Sequence, residues 1–113
     1  MIKTILLVRR RADLTIEQFR DHYENRHAPL AVFVLPTLRA YVRNYPDRAV
    51  GEMPWFDVMT EFWFDDDAGW EAARDFAASE EGKILAEDEA RFMDRSSMVS
   101  FIVREEKTSF AGA

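Results

Sequence analysis

The sequence predicts an α+β domain with the element order β-α-β-β-α-β. Three observations lead there: four short apolar segments of strand character, two stretches with the i, i+3, i+4 spacing of amphipathic helices, and turn chemistry between them. This order builds a four-stranded antiparallel sheet with its helices on one face, the ferredoxin-like arrangement.

Residues 2–9 are rich in Ile and Leu and apolar on both faces at their centre, the pattern of a central strand covered on both sides. The Arg9-Arg10-Arg11 run after it reads as a solvated loop or as a cradle for an anion, and surface charge being the norm favours the first. Thr15-Ile16-Glu17-Gln18 is a capping box: the Thr15 hydroxyl and the Gln18 amide can each satisfy a free backbone N–H. Glu17 suits the positive end of the helix dipole. Ile16, Phe19, Tyr23 and Arg26 then form one buried stripe. Pro29 has no N–H and disfavours the α region at Ala28, so the helix is expected to end near His27. Residues 30–35 form a short further helical piece with Pro29 at its first position, stopped by Pro36.

Residues 39–45 alternate as a strand, with Ala40, Val42 and Asn44 facing one way and Arg39, Tyr41, Arg43 and Tyr45 the other. Residues 46–54 are polar with two prolines and a glycine, a loop and the segment expected to be most mobile. Residues 57–64 are the third strand, with Val58, Thr60, Phe62 and Phe64 on one face and Asp57, Met59, Glu61 and Trp63 on the other. Asp65-Asp66-Asp67 is better explained as a helix cap than as a metal site. Trp70, Ala73, Phe76 and Ala77 are the stripe of the second helix, which breaks near Ser79 or the Glu80-Glu81-Gly82 that follows. Ile84, Leu85, Asp88 and Phe92 resume it to about Met93. Residues 97–104 are the last strand, and residues 106–113 form a flexible tail to a domain of residues 1–105.

At 113 residues the chain is one domain with enough apolar residues for a core. The absence of cysteine excludes disulfides and thiolate chemistry and suits a reducing, cytoplasmic setting. A net charge of −6 argues against nucleic acid, and no apolar run is long enough to cross a membrane. The uncovered sheet face, with Met59, Trp63 and the aromatics of the second strand, is too apolar for a monomer. Pairing with an identical chain covers it and encloses a ligand space between two sheets.

The N-terminal strand, Leu14-Thr15 with Glu17-Gln18-Phe19, and Tyr23 with His27-Ala28 and Leu30 resemble the EthD family of the dimeric α+β barrel superfamily. Leu38, Tyr41-Val42, Asn44, the Glu61-Phe62-Trp63-Phe64-Asp65-Asp66 stretch and Phe92-Met93-Asp94 extend the resemblance over nearly the whole chain. It implies a homodimer with a small-molecule pocket. It also implies a cofactor-free enzyme that moves protons on an oxygenated, aromatic or lactone-like compound: a decarboxylase, dehydratase, cyclase or isomerase. The alternative it implies is a non-catalytic dimeric accessory or ligand-binding protein of an oxidative degradation or polyketide pathway.

His27 is the leading catalytic candidate, since an imidazole gives or takes a proton near neutrality. Its structural alternative is a helix-terminal histidine that bonds a carbonyl. His22 is expected at the surface. The two lie five apart rather than four, so they do not share one α-helical face as metal ligands do, and no metal is predicted. Glu61 is an acid in an apolar strand and must be paired or protonated. It either works with His27, directly or through one water, or pairs with Arg39 or Arg43. Tyr41 and Trp63 are candidates to stack on a planar ligand, and Tyr23 and Asn44 to hydrogen-bond it.

Overall fold

The computed structural model describes residues 1–112. Its elements are β1 (Ile2–Arg10), α1 (Ile16–His22), a π-helical turn (Tyr23–His27), α2 (Ala28–Val34), β2 (Leu38–Asn44), β3 (Val58–Phe64), α3 (Asp67–Ala78), α4 (Lys83–Phe92) and β4 (Met93–Val103). The strands lie in the order β2-β3-β1-β4 with every pairing antiparallel. This is the expected ferredoxin-like topology, and β1 holds the central place its sequence predicts. Thr4, Leu6 and Val8 of β1 are buried beneath the helices. The core joins Val8 and Val58 of the sheet to Phe19, Tyr23, Ala28 and Phe92 of the helical layer.

The capping box forms as read: Gln18 N–H donates to Thr15 Oγ1 at 3.1 Å, and Thr15 N–H to Gln18 Oε1 at 2.9 Å. The end of that helix differs from expectation. Ala28 is helical at φ −61 and ψ −45, and α2 begins there with Pro29 in its first turn. A π turn replaces the break. Ala28 N–H reaches back to the Tyr23 carbonyl, so the hydrogen-bond register changes just before the one residue with no N–H to give. Helix α2 ends where Leu35 turns extended ahead of Pro36.

The Asp66 carboxylate caps α3 by accepting from Gly69 N–H at 2.9 Å, so the acidic triplet does serve a helix start. The chain breaks at Ser79 and restarts after Gly82. Only glycine fits there, because a Cβ on Gly82 would stand 2.0 Å from the Phe76 carbonyl oxygen. Strand β4 starts at Met93, earlier than the Ser97 expected, because a bulge carries the pairing on. Within it, Ser97 Oγ accepts Arg9 N–H at 2.9 Å in place of a backbone carbonyl.

The arginine run is neither a bare loop nor an anion cradle. Arg9, Arg10 and Arg11 stand opposite Asp94 (3.8 Å), Asp57 (3.5 Å) and Asp13 (2.9 Å), and the first two belong to β1. Residues 45–57 and 104–110 form neither helix nor strand, and Ala113 of the expected tail lies outside the described residues. Among the described residues no helix is long and apolar enough to cross a membrane.

The helix-free face of the sheet carries Ile5, Leu7, Met59 and Trp63, with Ile5 beside Phe101 and Leu7 beside Val99. Val42, Val99 and Phe101 remain 40%, 45% and 42% exposed there. The second-strand aromatics do not join this face, contrary to expectation. Tyr41 and Tyr45 turn towards the helices, as the alternation of β2 dictates once Val42 and Asn44 point outwards.

Candidate active site

The π turn decides how the site is built. Five residues make roughly one turn of a π helix, so His22 and His27 lie one above the other, where an α helix would splay them. Both reach Asp88 of α4. His22 Nε2 is 3.0 Å and 3.1 Å from its two oxygens, and His27 Nδ1 is 2.8 Å from Oδ2. Phe92, one turn on from Asp88, packs on both imidazoles: its ring stacks on His22 at 4.5 Å and meets His27 at 5.1 Å. His22, expected at the surface, is therefore mostly covered. Asp88 was readable only as a member of a buried stripe; a carboxylate at a core-facing helical position was the available signal.

Burial raises Asp88, but the hydrogen bonds from His27 and His22 outweigh it and hold the carboxyl below its ordinary value. Burial pushes His27 below the usual histidine range despite Asp88. The two shifts agree once the proton is placed. An ionised Asp88 only accepts, so the neutral His27 carries its hydrogen on Nδ1 and leaves Nε2 a bare lone pair. His27 makes no other hydrogen bond among the described residues.

That imidazole lines a cavity of about 250 Å³ between the helices and the sheet, together with Tyr23, Tyr41, Phe62, Glu89 and Arg95. An apolar cavity of about 150 Å³ accommodates benzene, so this one has the size of a single substituted ring. Tyr41 O–H donates to Tyr23 Oη at 3.2 Å, and Tyr23 meets Thr60 Oγ1 at 2.8 Å. Burial raises both phenols, Tyr23 to about 12, so they are neutral hydrogen-bonding groups rather than bases. Among the described residues no group of three or more His, Cys, Asp or Glu side chains is placed to hold a metal ion.

The expected pairing of His27 with Glu61 does not occur. Thr60 faces the helices, bonded to Tyr23, so its neighbour Glu61 projects from the opposite side of β3. There Glu61 pairs with Lys3 at 2.5 Å and accepts from Asn44 Nδ2 at 3.1 Å. The Lys3 hydrogen bond is the main reason its carboxyl lies below the ordinary range. Neither arginine suggested as its partner takes that place: Arg39 pairs with Asp65 at 2.9 Å and Arg43 with Glu24 at 2.7 Å. Trp63 shares the Glu61 face, under the Lys3 ammonium at 4.6 Å. The structure thus gathers His27, Tyr23 and Tyr41 in one place and Glu61, Asn44 and Trp63 in another.

A family model described as EthD domain matches residues 11–96. The chain is similar to an EthD family protein from Bacillus halodurans, at 25% identity and TM-score 0.68, over 94% of this chain and 100% of that one. It is also similar to an EthD-like protein from Ralstonia eutropha, at 22% identity and TM-score 0.68, over 90% of this chain and 88% of that one. A dimeric ferredoxin-like protein of unknown function from Thermobifida fusca shares the fold, at 17% identity and TM-score 0.63, over 90% of this chain and 88% of that one. No curated protein matches the chain.

Proposed function

The chain belongs to the EthD family, and on that premise we propose that it is a homodimeric, cofactor-free catalyst of proton transfer on a small oxygenated compound. The observation that carries this reading is an imidazole that lines a ring-sized cavity while its Nδ1 is engaged by a buried carboxylate, which leaves Nε2 as the nitrogen free for a ligand. Such a base is fixed in tautomer and direction before any substrate arrives. The site suits a monocyclic aromatic or lactone-like ligand with Tyr23 and Tyr41 along its edge, and the reaction classes it supports are isomerisation, dehydration, cyclisation or decarboxylation. Glu61, Asn44 and Trp63 do not act on that ligand; they belong to the face through which two copies pair, a reading supported by the dimeric protein of the same fold.

The test is proton exchange. A panel of small cyclic ketones, lactones and hydroxylated benzoic acids is incubated with the protein in heavy water and followed by NMR. At least one compound should take up deuterium, or turn over, at a rate that His27→Ala lowers by about 10²–10⁴-fold, the usual worth of a general base. Tight binding with no exchange or turnover in the wild type would favour an accessory ligand-binding role instead.

A further inference from the structure

Proton transfer next to a carbonyl needs a donor for the oxygen as well as a base for the carbon. The phenols do not provide one, since the Tyr41 proton is given to Tyr23 and the Tyr23 hydroxyl is engaged with Thr60. Glu89 lines the same cavity as His27 and lies next in sequence to the Asp88 that holds that histidine. Its side chain is only 23% exposed, and among the described residues its one polar partner is Arg95 Nε at 3.6 Å, beyond hydrogen-bond reach. Its carboxyl borders the cavity held by a single loose ion pair and by no hydrogen bond, which leaves its oxygens available to a ligand.

We infer that Glu89 is the second proton-transfer group of this cavity, donating to the oxygen of a neutral monocyclic ketone or lactone while His27 takes a proton from the adjacent carbon. This rests on His27 being the base. The C–H bond breaks towards Nε2 and its electron pair becomes a C=C bond. The carbonyl π pair goes to oxygen, which bonds the Glu89 proton. A neutral carbonyl compound becomes a neutral enol, leaving imidazolium and carboxylate. Return of the two protons, to the same carbon or to one conjugated with it, gives exchange or isomerisation with no further reactant.

The surroundings favour the required protonation states. Burial raises Glu89 against the pull of the half-exposed Arg95, with Asp88 adding to the rise, while burial lowers His27. The charged and titratable groups around Glu89 are Arg95 from β4, Asp88 from its own helix, Tyr23 and His27 from the π turn, and Tyr41 from β2. The two shifts bring the acid and the base towards each other, so neutral His27 and protonated Glu89 coexist more often than at a surface.

The experiment measures deuterium uptake and binding of α-angelica lactone and of cyclohexanone across pH in wild type, Glu89→Gln, Glu89→Asp and His27→Ala. The wild type should show a bell, its acidic limb set by His27 losing its lone pair and its alkaline limb by Glu89 losing its proton. Glu89→Gln should bind within a few-fold of wild type, exchange at least about tenfold more slowly and lose the alkaline limb alone. Glu89→Asp should restore that limb at reduced rate, and His27→Ala should abolish exchange throughout. Wild-type rates and an intact alkaline limb in Glu89→Gln would overturn the role of Glu89 while leaving His27 as base. A wild type that neither binds nor exchanges either compound would overturn both.

Discussion

One buried carboxylate, Asp88, ties the two histidines to α4. It lies 2.8 Å from His27 Nδ1 and 3.0 Å from His22 Nε2, and it accepts from the Arg91 guanidinium at 3.3 Å. The pH consequence follows from the direction of both shifts. His27 lies below its ordinary 6.5 in the folded chain, so the unfolded chain binds its proton first and stability falls as pH drops below 6.5. Asp88 lies below its ordinary 3.8, so its stabilisation is present above 3.8 and is lost as pH falls through the lower folded value. Urea midpoints on either side of pH 6.5 should therefore decline on the acid side in the wild type and hold nearly level in His27→Gln; equal declines in the two would separate acid sensitivity from this histidine. How far single residues could be read from the sequence depended on what they needed from the fold. His27, Tyr23 and Tyr41 were nominated from residue type and place and do come together. Glu61 was assigned the correct face of β3 but the wrong partner, because alternation gives a side chain's side and says nothing of who stands opposite. Lys3, distant in sequence, holds that place through the β1–β3 register.

At the scale of elements, termini with local chemistry were legible and a change of helical pitch was not. Thr15 and Gln18 satisfy each other within one turn, and Asp66 caps α3 across three residues, so both starts can be found by eye. The π turn has no such signature. A proline normally reads as a stop, and a 3.6-residue period carried through Tyr23–His27 falls out of phase with the chain. Two substitutions weigh these features against one another. Thr15→Ala should cost about 0.5–2 kcal/mol by removing one cap bond. Gly82→Ala should cost about 1–3 kcal/mol, since its new methyl meets the Phe76 carbonyl and must part α3 from α4. Denaturant midpoints rank the two, and an unchanged midpoint in Gly82→Ala would mean that the α3–α4 turn gives way freely.

At the scale of the molecule, the sheet divides two jobs that the sequence had merged on one face. The candidate site lies on the helical side, where π turn, α4 and β2 converge, and the far side carries apolar surface of partial exposure. Tyr41 marks the division: its direction follows from the β2 alternation, yet the prediction of a lined space between two sheets drew it to the wrong side. If that far face is where copies meet, Phe101→Asp should give a monomer by light scattering with helix and strand content unchanged, and His27 should retain its Asp88 bond by NMR. A dimer persisting undiminished in Phe101→Asp would place the contact elsewhere.

Lys3 and Glu61 sit in the midst of that apolar far face, with Glu105 also reaching Lys3 at 2.8 Å. Were two copies to close over them, the pair would become an address. Any alignment of the sheets that pulled Lys3 away from Glu61 would entomb a lone carboxylate, at a cost of about 3–5 kcal/mol, whereas sliding one greasy surface over another costs little. Two charges among many aliphatic neighbours would then decide less how firmly the copies hold than where, relative to each other, they come to rest.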